Sequence, residues 1–185
     1  ENIVNENTTS DRQLIIHEVM GRNCGWLTAA TALEYRKRLN KIHFMPEIGL
    51  SKEKWDIHCV LLPEQEISFD KECERLNKVM DKYDCVNVFL SEGAGMDIII
   101  KDAEKLGKPI LRDAFGHVRL DELNPGKWFA KQFGKRLNAH KILVQKSGYF
   151  GRSSKANKAD LELIFEVADY AVKSARQEKN GVIGW

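Results

Sequence analysis

Apolar and polar positions along the chain fall into two alternating kinds of segment. Short apolar runs predict buried strands over Gln13–Met20 (QLIIHEVM), ended by Gly21, over Cys85–Leu90 (CVNVFL), rich in β-formers, and over Lys141–Gln145 (KILVQ). Weaker runs predict strands over Ile42–Met45 before Pro46, within Trp55–Leu62, over Lys108–Arg112, and beginning at Val182-Ile183. Between these lie helical spacings. Trp26, Ala30, Leu33 and Lys37 predict a helix over Arg22–Leu39, and Phe69, Cys73, Leu76, Met80 and Tyr83 predict one capped by Ser68. Asp97–Leu106, stopped by Gly107, and Lys127–Leu137 read as two more helices. The strongest pattern is Leu161, Ile164, Phe165, Ala168, Ala171, Val172 and Ala175, with Asn157 as its cap. Residues 1–10 are polar and read as loop. Strands alternating with helices predict an α/β layered fold with a mostly parallel sheet. In such sheets ligands bind beyond the carboxyl ends of the strands.

Composition narrows the classes. At 185 residues the chain is one domain, or one domain and a piece of another. With 43% hydrophobic and 30% charged residues and four prolines, it folds rather than staying disordered. A net charge of +2 gives no basic footprint for nucleic acid or a membrane surface. The sequence holds no apolar run long enough to cross a bilayer and opens with no signal peptide, so a cytoplasmic protein is expected. Cys24, Cys59, Cys73 and Cys85 form no CxxC pair and no zinc-site spacing, so reduced, mostly buried thiols are expected. Glu1 stands where an initiator Met would, and Gly-Val-Ile-Gly-Trp stops as a strand would begin. The expectation is a fragment of a longer chain or a processed product.

Three strand ends carry chemistry. The first is Glu18-Val-Met-Gly-Arg-Asn-Cys-Gly25. Gly21 permits close backbone approach, a following helix start attracts anions, and Arg22 offers a planar bidentate donor. The plainer alternative is a turn glycine beside a solvated charge. The second is Ser91-Glu-Gly-Ala-Gly95, where Glu92 at a strand tip can accept from sugar hydroxyls or hold a metal. Alternatively Glu92 merely caps the next element. The third is Lys146-Ser-Gly-Tyr-Phe-Gly-Arg152, which puts an ammonium, a phenol and a guanidinium in one loop. Each can donate to phosphate, although such groups also decorate ordinary surface loops. Three strand ends in one fold, two of them basic, favour a phosphorylated ligand.

In order and spacing, EVMGRNCGW, FLSEGAG and QKSGYFGR, the last followed by ADYAV, resemble the phosphofructokinase family over roughly residues 10–185, and most of all its pyrophosphate-dependent branch. The resemblance implies a Rossmann-like layered fold. Residues 11–145 would form the fructose 6-phosphate-binding lobe, and 146–185 a segment returning to a mostly absent donor lobe. It implies phosphoryl transfer from pyrophosphate to the 1-hydroxyl of fructose 6-phosphate, a step of glycolysis, with Mg²⁺, commonly in a homo-oligomer. Met20, Gly21 and Arg22 would contact the sugar phosphate. Glu92 would bind the sugar hydroxyls, Tyr149 and Arg152 the 6-phosphate, and Lys146 a phosphate. The ATP-using branch usually has histidine at the Tyr149 position, so Tyr149 favours pyrophosphate.

Two departures accompany the resemblance. The family's arginine upstream of Met-Gly-Arg has its nearest counterpart in Arg12, one residue too far away. The Gly-Gly-Asp phosphate loop and the Thr-Ile-Asp-Asn-Asp segment with its general base do not occur in the sequence and belong upstream of Glu1, as would the Mg²⁺ ligands. His17, in an apolar strand, reads as a packed imidazole rather than a replacement base. Phosphoryl transfer needs a donor cradle, a metal and a base. The chain alone is therefore expected to be inactive and marginally stable, with the apolar stripe of its last helix exposed. Two other functions stay open: an ATP-dependent 6-phosphofructokinase, and a non-catalytic sugar-phosphate-binding module.

Overall fold

A computed structural model describes residues 2–184. The chain divides into two compact units, Glu1–Tyr149 and Phe150–Trp185. In the first unit, β1 (Gln13–Val19), β2 (Cys59–Leu61), β3 (Cys85–Ser91) and β4 (Lys141–Lys146) form one sheet in the order β2-β3-β1-β4. Every pairing is parallel. The connecting helices are α1 (Trp26–Leu39), α2 (Lys52–Trp55), α3 (Phe69–Tyr83), α4 (Met96–Lys105), α5 (Leu120–Leu123) and α6 (Pro125–Arg136). Helix α7 (Gly148–Ser153) follows β4, and α8 (Lys158–Arg176) lies in the second unit.

Side chains alternate across the sheet, as the two-residue period of a strand requires. Leu14 and Ile16 of β1 and Val86, Val88 and Leu90 of β3 face α3 and α6. There they meet Cys73, Leu76 and Met80 from α3 and Phe129, Phe133 and Leu137 from α6 and its end. Phe69, Phe129 and Phe133 pack together there, Phe69 and Phe133 stacked with ring centroids 4.9 Å apart and Phe129 tilted against both. A smaller cluster of Ala32, Ile57 and Phe89 covers the opposite face beneath α1. All seven residues of β3 are buried, which explains its continuous β-forming run. Asn87, in its middle, donates to the carbonyls of Lys54 (3.0 Å) and Asp56 (2.8 Å) and so anchors the approach to β2.

Several expected elements differ. Residues 2–8 form a 3₁₀ helix rather than loop. The first long helix begins at Trp26, not Arg22, because Gly21 at φ +145 and the turn after it reverse the chain first. Ile42–Met45 is not a strand: Ile42 and Met45 are exposed, and Met45 makes only an isolated antiparallel bridge to Leu50. Lys108–Arg112 reduces to one bridge, Arg112 to Val118, and Val182-Ile183 is irregular. Each lacks a neighbouring strand to satisfy its backbone groups. The Tyr149 segment, expected as loop, is helix α7.

Arg12 closes the amino end of the sheet. Its guanidinium donates to the carbonyls of Leu137 (2.6 Å) and Asn138 (2.9 Å), at the end of α6, and pairs with Asp81 at 2.8 Å. It precedes β1, whose seven residues extend about 20 Å, so Arg12 does not serve this chain's own carboxyl-end site.

Two histidines are held neutral. Burial lowers the His17 pKa from its ordinary 6.5, and its ring packs on Phe89 at 5.2 Å. His58 is lowered chiefly by burial too. Its Nδ1 accepts from the Asn87 N–H at 2.9 Å, and its Nε2 lies 2.9 Å from the Glu53 carbonyl, which fixes the Nε2–H tautomer. Below pH 6.5 the unfolded chain therefore binds protons that the folded chain refuses. Stability is flat in this respect above pH 6.5 and falls as pH drops from there towards the depressed folded values, by at most about 1.4 kcal/mol per pH unit for each histidine. Urea unfolding across pH 5–8 will show this slope, and His17→Asn will reduce it.

Candidate functional site at the strand exits

Parallel pairing sets the site. In the ladder β3-β1-β4, Val19 is opposite Ser91 and Glu18 is opposite Lys146. The three motif-bearing strands therefore leave the sheet side by side.

The exits of β1 and β3 are stitched together. The Gly21 N–H donates to Glu92 Oε1 at 3.2 Å, and the Gly21 carbonyl accepts from Ser91 Oγ (2.6 Å) and from the Gly93 N–H (3.2 Å). The Glu92 N–H donates to the Val19 carbonyl at 3.0 Å. Glycine is required at two points. A Cβ on Gly21 would lie 2.3 Å from the Cys24 carbonyl oxygen, and one on Gly93 would lie 1.6 Å from the Arg22 carbonyl oxygen. The backbone of Gly93 thus packs directly against that of Arg22. The Arg22 guanidinium is exposed and gives Nη1 to the Val118 carbonyl at 3.3 Å, leaving further donors available.

The sequence places Arg22 at a helix start, where aligned amides attract an anion. The structure corrects this. Helix α1 begins at Trp26, and Glu64 Oε1 already accepts from the Gly25 N–H at 2.7 Å. That bond holds the Glu64 carboxyl below its ordinary range. The guanidinium of Arg22, not the helix end, is the anion-seeking group.

The β4 exit abuts the same place. Ser147 donates through both N–H (2.9 Å) and Oγ (3.1 Å) to the Glu18 carbonyl. Met20 lies against Gly148, where a Cβ would sit 3.5 Å from Met20 Cγ. Lys146 is half-exposed, with Nζ 3.1 Å from Glu18 Oε1. Tyr149 follows on α7 and is 84% exposed. Arg152 is also exposed but belongs to the second unit. The first unit thus gathers Met20, Gly21, Arg22, Glu92 and Lys146 at one edge, with Tyr149 next in the chain.

Sequence reasoning missed Glu18 as a working group, although it stands inside an apolar strand where an ionised side chain needs a partner. It also missed Arg112 and His117. With Arg22 they line a cleft of about 460 Å³ roofed by the 108–119 segment, which no sequence period marks. His117 Nδ1 lies 3.4 Å from Asp113. The arrangement offers guanidinium, ammonium and phenol donors near a carboxylate acceptor, and two of its turns have no room for a side chain. Such a surface suits a ligand carrying both a phosphate and hydroxyl groups.

This architecture is that of the phosphofructokinase-like α/β enzymes. Pyrophosphate-dependent phosphofructokinases from Nitrosospira multiformis and Marinobacter aquaeolei share it, each with a TM-score of 0.57, at 22% and 23% identity. They cover 98% and 97% of this chain, and it covers 37% and 36% of theirs. The sequence takes the assignment further. It is 54% identical over 183 residues to the pyrophosphate–fructose 6-phosphate 1-phosphotransferase of Methylomonas methanica, covering 99% of this chain. It is 50% identical over 184 residues to the protein of that name from Mastigamoeba balamuthi, covering 100%. Over nearly its whole length the chain is similar to these pyrophosphate-dependent members of the phosphofructokinase family. It spans about 45% of the length of these relatives. No protein-family model matches it.

Gly93→Ala tests the geometry of the edge. The added methyl collides with backbone, which cannot swing aside as a side chain would. Stability should fall by about 2–3 kcal/mol, with Gly49→Ala, where the Cβ meets nothing, losing less through its left-handed φ of +81 alone. Urea denaturation of both variants checks this.

Proposed function

We propose that the protein transfers a phosphoryl group from pyrophosphate to the 1-hydroxyl of fructose 6-phosphate, and that this chain supplies the acceptor-binding surface. One observation carries the reading: the exits of β3, β1 and β4 gather Glu92, Arg22 and Lys146 on a single edge. The names of relatives 50–54% identical support the same reaction.

In this reading Arg22, Lys146 and Tyr149 of the first unit hold the 6-phosphate. The planar guanidinium of Arg22 forks onto two phosphate oxygens, while the neutral phenol of Tyr149 donates without adding charge. Met20 and Gly21 shape the floor beside the phosphate. Glu92 keeps one oxygen on the Gly21 N–H and turns the other to ring hydroxyls. Fixing the sugar in this way presents the 1-hydroxyl in one orientation, and such positioning is worth several kcal/mol of a transfer barrier. Residues 11–145 act as the sugar lobe and 146–185 as the segment leading back to the donor lobe. Among the described residues no cluster of three His, Cys, Asp or Glu could hold a metal, so Mg²⁺ would be bound by residues elsewhere in the intact enzyme. None of the described helices is long and apolar enough to cross a membrane. The reading places the enzyme in the cytoplasm as a homo-oligomer.

The test is a coupled assay of the full-length protein with pyrophosphate and ATP offered separately. Fructose 1,6-bisphosphate should form with pyrophosphate; formation only with ATP would move the protein to the other branch. Arg22→Ala should raise KM for fructose 6-phosphate by roughly 10–100-fold, since a charge-assisted phosphate contact is lost. An unchanged KM would remove Arg22 from the site.

A further inference from the structure

Glu18 is the one acidic residue of β1 and sits in its alternation with Leu14 and Ile16, on the face covered by α6. Its side chain is only 8% exposed. A carboxylate so placed destabilises the fold unless its oxygens are bonded and its charge is met. Both conditions hold. Oε2 accepts from the Gly126 N–H at 2.8 Å, in the first turn of α6, and Oε1 lies 3.1 Å from Lys146 Nζ. The fit is tight, because a Cβ on Gly126 would stand 2.4 Å from Glu18 Oε2. The backbone of the same residue holds Ser147 through two bonds to its carbonyl oxygen. One residue thus grips the last residue of β4, the residue after it and the start of α6.

Lys146 is the flexible partner. A free lysine spreads its charge over many rotamers, and ordering it on a ligand costs entropy. Paired with Glu18 at 3.1 Å and with its side chain 48% exposed, the ammonium stays near one place yet open to solvent or ligand. We infer that Glu18 is a positioning residue, clamping Lys146 and the Ser147–Tyr149 turn so that they meet the ligand's phosphate already arranged. This rests on the reading of Lys146 and Tyr149 as 6-phosphate ligands. Glu18 itself, buried behind Lys146, touches no substrate.

Glu18→Gln tests it, keeping the size and an acceptor for Gly126 while removing the charge. In the full-length protein two readouts are taken. Amide hydrogen exchange at Ser147 and Gly126 should accelerate at least about fivefold, with Val86–Leu90 of β3 unchanged. KM for fructose 6-phosphate should rise about tenfold with kcat within about threefold. In the Lys146→Met background, Glu18→Gln should add little to KM, because it acts through Lys146. Glu18→Asp, which keeps the charge on a shorter arm, should fall between, and replaces Glu18→Gln if that variant does not fold. Unchanged exchange overturns the clamp. Faster exchange with unchanged KM, or a full KM increase repeated without Lys146, overturns the positioning role. If the unsubstituted protein makes no fructose 1,6-bisphosphate from pyrophosphate, the proposed function fails and the positioning role falls with it. The exchange readout then decides the clamp alone.

Discussion

The register of β1 against its two neighbours is the constraint on which the rest depends. β1 is the strand that pairs with both β3 and β4, so its last residues decide what stands beside what at the carboxyl edge. With Val19 opposite Ser91 and Glu18 opposite Lys146, the Met-Gly-Arg turn, the Glu92 turn and the Ser147 turn emerge together. A slip of one residue would turn every side chain of β1 to the other face. Leu14 and Ile16 would leave the Phe129–Phe133 core, and Glu18 would leave the Gly126 N–H. The apolar core therefore fixes the geometry of the polar edge: the alternation that buries Ile16 also carries Glu18 to the start of α6.

That coupling explains a costly feature. A buried ion pair seldom adds stability over well-packed apolar groups, because desolvation offsets the attraction. The Glu18–Lys146 pair escapes the full cost, since only its carboxylate is buried and the ammonium remains half in water. An apolar residue at position 18 would pack under α6 with less penalty, but it would bond neither Gly126 nor Lys146. The polar choice makes sense as a device for holding two strand exits in place. The stitching of Gly21 to Glu92 and Ser91 does the same between β1 and β3 with neutral donors and one carboxylate.

Much of this was readable from the residues, and the failures share a cause. β1, β3, β4, α3 and α8 declare themselves because each is long enough for its period to repeat. Ile42–Met45, Lys108–Arg112 and Val182-Ile183 have strand-like composition without a strand. A short apolar run becomes a strand only where a neighbour offers a free edge, and one sequence segment does not contain its neighbour. The same limit hid Glu18. Its setting in QLIIHEVM showed that an acid stood among apolar residues, but its partners lie 108 and 128 positions away. The clustering of Met20, Arg22, Glu92 and Lys146 followed from parallel topology once the three strand ends were recognised. The late start of α1 did not, because the Gly21 and Gly25 turns are set by contacts with Ser91 and Glu64.

Helix α8 shows the converse, an element fully legible by its period yet scarcely buried. Asn157 caps it, its side chain accepting from the Asp160 N–H at 2.9 Å, and Lys158–Glu162 and Asp169–Lys173 pair along it at i, i+4. Such local terms contribute a few tenths of a kcal/mol each, the cap about 1 kcal/mol. An amphipathic helix takes most of its stability from the surface its apolar face covers. In this chain Phe165 is 71% exposed, Ile164 53% and Val172 60%, so that contribution is largely missing. The first unit closes its own core around Phe129 and Phe133, whereas α8 carries a core-forming stripe that stays open to solvent. A sequence that invests in Leu161, Ile164, Phe165 and Val172 at helical spacing encodes a packing surface, and the stability of α8 depends on what covers it.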